Sequence, residues 1–260
     1  MPLLVTHNSS LPLIPQIRGV TEIDGEYFGK FPAKVKWVKD AVTIINLHKA
    51  PEPGFGIIGS LPTQLGTFRV MTNFALHEND VTGSLPTEIG SLNAALDVAF
   101  EIWGNPEISG VLPTELGSLT GISESFVLDG MKGLASRGIP TEIGRLSRLQ
   151  NRLSISNTLS TNEEIKSGLA GYIPTELGQL IGLEELNLEG NNFSGSLPTE
   201  LGMLSSLKRG FVISNNKLEG VVPTELGKFS SLKVMTGRSV STLLSKSFRT
   251  FCLFVFTGTL

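Results

Sequence analysis

Two histidines lie at equivalent positions of consecutive segments, and their type and spacing could support metal chemistry. His48 and His77 each directly follow a leucine. If the two segments are adjacent strands, the imidazoles share one face and could bind one metal ion, with Glu78 or Glu101 as a third ligand. Two histidines alone are a weak signal, so we expect solvated histidines and predict neither a metal nor another cofactor.

A second chemical signal is the glycine motif at residues 54–59. Gly54, Gly56 and Gly59 match G-x-G-x-x-G, the fingerprint of dinucleotide-binding proteins. That motif functions between a strand and a long helix whose N-terminal amides hold the pyrophosphate. Here Pro51 and Pro53 precede the motif and S-L-P-T-Q-L-G follows it. We therefore expect no nucleotide binding.

The carboxylates give no sign of paired acid–base catalysis. Six of them recur in one phrase, T-E-(L/I)-G: Glu88, Glu115, Glu142, Glu176, Glu200 and Glu225. A residue repeated in every unit belongs to the architecture, and no nucleophile elbow, Ser-His-Asp phrase or kinase signature is present. We expect no enzyme activity. The formal net charge of −3 also argues against nucleic acid as a partner.

The chain is built from an internal repeat. A phrase of the type G-x-(L/I/V)-P-T-(E/Q)-(L/I)-G occurs seven times, once shortened by a residue, with its proline at Pro62, Pro86, Pro113, Pro140, Pro174, Pro198 and Pro223. The chain has 29 glycines and 14 prolines, more than is usual for its length, and the phrases account for much of this surplus of glycine and proline. A single repeat unit cannot bury its apolar face alone, so the units must stack and share one core.

The copy that begins at Pro174 shows how one unit folds. Leu186 and Leu188 alternate with Asn187 and Glu189, which predicts a short strand with the leucines inward and the polar pair outward. Equivalent inward pairs are Ile45/Leu47, Phe74/Leu76, Phe100/Ile102, Phe126/Leu128, Leu153/Ile155 and Phe211/Ile213.

Two further features of each unit are predicted from residue type. An asparagine three residues after the strand can satisfy backbone groups of neighbouring turns; these structural asparagines are Asn79, Asn105, Asn191 and Asn216. The segment 174–178 predicts one short helical turn, with the proline at its first position and Gly178 at a left-handed end.

The whole pattern, L-x-x-L-x-L-x-x-N-x-(L/F)-x-G-x-(I/L)-P-x-x-(L/I)-G-x-L, resembles the plant-type leucine-rich repeat over about residues 42–232. Its L-P-T-E-(L/I)-G variant is similar to that of algal and protist receptor-like proteins. The resemblance implies an α/β fold: a right-handed solenoid, or horseshoe, with a parallel concave β-sheet and short helical or irregular convex turns. Trp37 and the following V-T-I-I-N-L are similar to the N-terminal cap of plant receptors, without its paired cysteines.

The sequence divides into three segments: an N-terminal flanking or cap segment (1–41), a solenoid of about seven repeats (42–232), and a degenerate C-terminal tail or cap (233–260). The last segment, which contains the lone cysteine Cys252, fits a disordered tail, a hydrophobic cap on the last turn, or the start of a truncated membrane segment. Its apolar run, 251–256, is far shorter than the about 20 residues of a membrane helix.

The N-terminus has neither a basic start nor a long apolar stretch, which favours an intracellular chain or an incomplete N-terminus. The sequons at Asn8 and Asn192 matter only in a secreted protein. Two insertions, at 50–56 and 157–171, lengthen their turns. Insertions in solenoids map to one face, often the binding face, but a tolerated surface loop is the simpler interpretation.

The remaining candidates for binding lie in the outward row of the predicted concave face: His48, His77, Glu101, Trp103, Asp129, Asn187 and Glu189. Trp103 is a large aromatic residue at a solvent-facing position, and interfaces concentrate binding energy in such residues. Alternatively, extra residues before the third strand rotate Trp103 against its neighbours. Glu101, Asp129 and Glu189 suggest a partner with basic or hydroxyl-rich groups.

These features predict a non-catalytic module that binds a protein or peptide on the concave face. The resemblance implies a role in signalling or defence-like recognition. One alternative is the ectodomain fragment of a membrane receptor or receptor kinase whose chain continues beyond Leu260. Membrane association is expected only in that case. Another is a carbohydrate- or cell-surface-binding protein, which ranks last because Trp103 is the single exposed aromatic residue expected on the face.

Overall fold

The structure is a computed structural model of the 260-residue chain. It describes residues 22–27, 29–30, 44–49, 57–68, 70–94, 96–134, 137–157, 168–229, 232 and 235–236. The 50–56 insertion, Trp37, Cys252 and the interior of the 157–171 insertion lie outside the described residues. None of the helices found in this part of the chain combines the length and the apolar character required to cross a membrane.

A main sheet of parallel strands runs through the described residues, with one strand from each repeat. Its nine strands lie in sequence order: β1 (Glu22–Tyr27), β3 (Ile44–Lys49), β5 (Asn73–His77), β7 (Ala99–Trp103), β9 (Ser125–Asp129), β11 (Arg152–Ser154), β13 (Glu185–Asn187), β15 (Gly210–Val212) and β17 (Met235–Thr236). Strands β1 and β17 add one strand at each end, in the segments that the sequence analysis assigned to the flanks.

Short strands on the other side of each turn form smaller parallel sheets. One contains β2 (Gly29–Lys30), β4 (Ile57–Ser60) and β6 (Asp80–Thr82); a second pairs β8 (Ser109–Gly110) with β10 (Gly133–Leu134); a third contains β12 (Ala170–Gly171), β14 (Asn192–Gly195) and β16 (Lys217–Leu218). A single bridge between Gly83 and Ile108 connects the first two. Most of the described turns are thus bound to their neighbours along two edges, whereas no strand pairing among the described residues connects β10 with β12.

The core lies between the main sheet and these smaller sheets. Phe74, Phe100 and Phe126 are in register on β5, β7 and β9 and are almost completely buried. Their ring centroids are 5.6 Å apart at each step, close to the strand spacing of about 4.8 Å. Leu186 and Leu188 continue the buried rows, so the predicted inward positions in the described repeats are confirmed.

A short 3₁₀ helix follows every repeat proline. The seven helices are Thr63–Thr67, Thr87–Ala94, Thr114–Ser118, Thr141–Arg145, Thr175–Gln179, Thr199–Met203 and Thr224–Lys228. The predicted cap residues are wrong in detail. Pro174 precedes the helix as its N-cap, with φ −63° and ψ 134°, and Gly178 lies inside the helix.

Gly178 is required for close approach rather than for a left-handed conformation. A Cβ atom there would collide with the backbone carbonyl of Glu200 in the next turn. The left-handed conformation belongs instead to the first glycine of every phrase except the shortened one that begins at Gly138; examples are Gly171 at φ +91° and Gly195 at φ +74°. A left-handed φ strains residues other than glycine. The first glycine of a phrase is therefore required by its backbone conformation, whereas the second is required by close contact with the next turn.

The repeat asparagines hydrogen-bond backbone groups of adjacent turns. Asn191 Oδ1 accepts from the amide of Leu169 at 3.1 Å, and its Nδ2 donates to the carbonyl of Ile155 at 2.7 Å. Asn79 Oδ1 accepts from Ile57 N at 2.8 Å. Such bonds satisfy backbone groups that would otherwise be buried without a partner.

The other two asparagines also bond backbone of a neighbouring turn, Asn105 as a donor and Asn216 as both donor and acceptor. Asn105 Nδ2 donates to Leu76 O at 3.2 Å. Asn216 accepts from Phe193 N at 3.1 Å and donates to Leu188 O at 2.9 Å.

The inward position of Leu186 can be tested by truncation. Leu186→Ala removes a fully buried side chain from β13, so we expect the free energy of unfolding to fall by about 2–5 kcal/mol. Urea denaturation followed by circular dichroism measures the change. Met203→Ala is the control, because Met203 is 57% exposed and should cost under about 0.5 kcal/mol. A loss well below about 1 kcal/mol for Leu186→Ala would contradict the inward assignment.

The close approach at Gly178 generates a second prediction. Gly178→Ala places a methyl group against backbone that cannot move without shifting the next turn, so we expect a loss of at least about 1–3 kcal/mol. Gly182→Ala is the matched control, since its Cβ would meet nothing nearer than 3.4 Å and should leave the urea midpoint nearly unchanged. Equal midpoints for the two variants would show that turn spacing does not depend on this glycine.

Candidate binding face

The outward side chains of strands β5 to β15 form what we call the open face, which corresponds to the predicted concave face. They lie in three columns across the strands, which we number first, second and third from Asn73, Ala75 and His77 of β5. Strand pairing aligns His77 with Trp103 and Trp103 with Asp129. Backbone hydrogen bonds from Gly130 N to Ser156 O at 2.7 Å and from Asn157 N to Glu189 O at 2.9 Å continue this column.

The open face is less exposed than the sequence analysis expected. Ala75, Val127, Ser154, Ser156 and Ser214 are buried, although all occupy outward positions. Neighbouring strands are only about 4.8 Å apart, so larger side chains on either side cover these small ones. Partly exposed positions remain at His77, Glu101, Trp103, Asp129, Asn187 and Glu189. His48 pairs with His77 through the backbone of β3, and its side chain lies outside the described residues.

Trp103 keeps its place in the outward column and is not rotated out of it by the extra residues before β7. It is half-buried because the imidazole of His77 stacks on it, with ring centroids 4.8 Å apart and an interplanar angle of 27°. The two rings therefore form one aromatic platform across β5 and β7. Strand β9 presents Asp129 next to the indole in the same column.

Glu101 lies beside this platform and stays ionised. Its carboxylate accepts a hydrogen bond from Ser125 Oγ, and its Oε2 lies 3.5 Å from His77 Nε2. Contact with His77 lowers the pKa of Glu101 below its ordinary value despite the opposing effect of burial, and Ser125 and the charge of Arg152 act in the same direction.

The contact between His77 and Glu101 is long for a hydrogen bond. His77 Nε2 is buried and makes no hydrogen bond of acceptable geometry within the described residues. We therefore describe the pair as a charge–dipole contact, and as an ion pair when the imidazole is protonated.

Asp129 is held by hydroxyl and amide groups of the next strand. Ser154 Oγ donates to its carboxylate at 2.8 Å, and the backbone amide of Ser156 donates at 2.7 Å. Arg152 lies further off, with 3.7 Å between its guanidinium and Asp129 Oδ2. Arg152 is shared with Glu185, whose Oε1 is 3.3 Å from Nε.

Glu189 is bonded by uncharged donors. Ser214 Oγ donates at 2.6 Å and Asn215 Nδ2 at 3.2 Å. Asn215 adopts a left-handed φ of 56°, which asparagine tolerates better than most residues. Asn187 Oδ1 accepts from the amide of Glu189 at 3.1 Å. Among the described residues, no cationic side chain lies within ion-pair distance of Glu189.

The first column was missed in the sequence analysis, which examined only the residues flanking the second inward side chain. It contains Ser125, Arg152 and Glu185, each two positions before the nearest residue considered. Extending the period-two alternation back by one step would have found them. These residues matter because Ser125 and Arg152 position the carboxylates of Glu101 and Asp129.

Two arrangements common in catalytic sites are absent from the described residues of the open face. Ser125 and Ser154 each bond a carboxylate, but His77 approaches Glu101 and not a serine, so the described face has no nucleophile–base–carboxylate chain. Nor do the described residues bring together three or more histidine, cysteine or carboxylate side chains that could hold a metal ion.

Sequence comparison detects the repeat in one unit. The family model described as Leucine Rich Repeat matches residues 182–204, which include β13. No curated protein sequence matches the chain.

Comparison with solved structures covers far more of the chain. The leucine-rich-repeat ectodomain of the Arabidopsis thaliana membrane receptor kinase GASSHO1/SCHENGEN3, in complex with CASPARIAN STRIP INTEGRITY FACTOR 2, is 27% identical with a TM-score of 0.60; the match covers 75% of this chain and 21% of that one. The ectodomain of the Arabidopsis receptor kinase HAESA, bound to an IDA peptide hormone, is 24% identical with a TM-score of 0.61, covering 75% and 30%.

A bacterial protein has the same fold. A leucine-rich-repeat protein of Leptospira interrogans is 25% identical with a TM-score of 0.56; the match covers 76% of this chain and 43% of that chain. The chain thus matches less than half the length of each of these three structures. The parallel main sheet, the short 3₁₀ helices and these likenesses together show that the chain folds as an α/β leucine-rich-repeat solenoid.

Proposed function

We propose that this chain is a non-catalytic recognition module that binds a protein or peptide on the open face of its main sheet. The observation that carries the proposal is the stacked pair of His77 and Trp103. A half-buried tryptophan on a rigid strand offers a large contact area at little cost in conformational entropy, which is typical of binding hot spots. Hydrogen bonds from neighbouring repeats hold Glu101 and Asp129 beside it, and hold Glu189 further along the same face.

The comparisons support the class of partner. Two of the similar structures are receptor ectodomains in complex with CASPARIAN STRIP INTEGRITY FACTOR 2 and with the peptide hormone IDA. A role in signalling or defence-like recognition is part of our proposal for this chain. If the chain is instead a fragment of a receptor ectodomain, the open face would bind its partner in the same way. The two hypotheses differ only in what is attached to the module.

A carbohydrate ligand is less well supported. Sugar-binding surfaces commonly stack several sugar rings on successive aromatic residues, whereas between β5 and β15 Trp103 is the sole tryptophan, tyrosine or phenylalanine at an outward position of the described strands. The flanking groups are carboxylates that already bond serines of the next strand. This combination fits one anchored side chain of a protein partner better than a row of sugars.

Replacing Trp103 tests the proposal. Wild-type chain, Trp103→Ala and Tyr172→Ala are immobilised at equal density, and proteins captured from the source organism are quantified by mass spectrometry. Tyr172 is 75% exposed and lies outside the open face, so it controls for loss of an exposed aromatic side chain. We expect at least one protein to be captured equally by wild type and Tyr172→Ala but about tenfold less by Trp103→Ala.

The urea midpoint of Trp103→Ala shows whether the variant is folded under the capture conditions. A folded Trp103→Ala that captures every protein as wild type does would contradict binding on the open face. The insertions at 50–56 and 157–171 would then be the next candidates.

A further inference from the structure

We propose that the open face binds an extended peptide with two basic residues four positions apart. One cation lies on Trp103 beside Glu101, and the other bonds Glu189. This inference rests on the proposed function, because it names the chemistry of the partner that the same face would take. It follows from the charges of the face, from what already bonds each carboxylate, and from the spacing of the strands.

The open face carries an excess of negative charge. Between β5 and β15 its three columns contain four carboxylates, Glu101, Asp129, Glu185 and Glu189, against one permanent cation, Arg152. Asp129 and Glu185 lie on either side of Arg152, at 3.7 Å and 3.3 Å. The charge of Arg152 is therefore already paired with carboxylates of the face itself. Glu101 and Glu189 flank this group and lack a permanent cation as a bonding partner among the described residues.

The first anionic position is combined with an aromatic surface. Glu101 and Trp103 are two residues apart on β7, so their side chains leave the same side of the strand. His77 covers one side of the indole, and β9 presents Asp129 next to it in the column. A guanidinium or ammonium group on the indole would gain cation–π attraction and lie near two carboxylates.

The second anionic position has no such surface. Glu189 is fixed by Ser214 Oγ and Asn215 Nδ2, which are neutral donors that orient the carboxylate without neutralising it. A carboxylate held in this way loses little conformational entropy when it binds a cation. Between the two positions lies Ser156, which is buried and would lie beneath the peptide.

Strand spacing fixes the distance between the two basic residues. From β7 to β13 there are three steps in the sheet, or about 14 Å at about 4.8 Å a step. An extended peptide advances about 3.3 Å per residue, so four residues span about 13 Å. Alternate residues of an extended chain point to the same side. A separation of four satisfies both conditions, whereas three or five would turn one basic side chain away from the sheet.

Peptide selection tests this inference without a known partner. A phage-displayed library of random 12-residue peptides is selected against the full chain, and enriched sequences are read. We expect Lys or Arg pairs four positions apart to be enriched over pairs at any other separation. The affinity of a selected synthetic peptide should fall about tenfold or more when salt is raised from about 0.05 to 0.5 M, because screening weakens partly exposed ion pairs.

Variants of the chain assign each basic residue to its carboxylate. Glu189→Gln should weaken binding of the selected peptide about fivefold to tenfold. In that variant, replacing the basic residue of the peptide that bonds Glu189 should reduce the affinity no further. Glu101→Gln should behave in the same way toward the other basic residue. Glu115→Gln, which removes an exposed carboxylate from the 3₁₀ helix Thr114–Ser118, should leave the affinity unchanged.

The outcomes separate this inference from the proposed function. Selected peptides without the basic pair, no enrichment at all, or equal affinities for Glu189→Gln and Glu115→Gln would each overturn the two-cation inference. Trp103→Ala then decides the broader question. If peptides lacking basic pairs still lose binding to Trp103→Ala, the open face remains the binding site. If the selected peptides bind Trp103→Ala as they bind wild type, the proposed face is wrong as well.

Discussion

The close approach of successive turns at one glycine is the constraint on which the rest of this structure depends. In each described pair of turns, the second glycine of the repeat phrase faces the backbone of the glutamate in the next phrase, as Gly66 faces Glu88 and Gly178 faces Glu200. A side chain at these glycines would push adjacent turns apart. Because the turns are chain-linked to the strands, the same contact sets how closely the strands of the main sheet can pair.

That spacing explains the core and the asparagines together. The rings of Phe74, Phe100 and Phe126 stack at 5.6 Å because the strands that carry them are in register. The amide of Asn191 reaches backbone of the preceding turn because that turn lies one strand spacing away. The repeat is therefore a set of mutually dependent contacts, in which each unit supplies contacts that its neighbours require.

The sequence alone predicted the features that depend on the repeat period and on residue type. It did not predict the features that depend on distances between turns. The alternation of Leu186 and Leu188 predicted the inward rows correctly. The role of Gly178 could not be predicted, because a helix-ending glycine and a close-contact glycine look alike until the neighbouring carbonyl is placed. The burial of Ser154 and its bond to Asp129 depend on side chains about 25 residues away in sequence, which no local pattern contains.

The division between repeated and unrepeated positions is also the basis for proposing the open face as the binding site. Architecture prescribes the glycines, prolines, asparagines and inward apolar residues in nearly every unit, so they cannot distinguish one partner from another. The outward positions of the strands are free of that requirement, and in this chain they differ from strand to strand: a tryptophan on β7, an aspartate on β9, an arginine on β11 and a glutamate beyond β13. Serines on the following strands hold Glu101, Asp129 and Glu189 in fixed orientations. The regular solenoid thus provides a rigid support on which an irregular and largely anionic surface is already arranged before any partner binds.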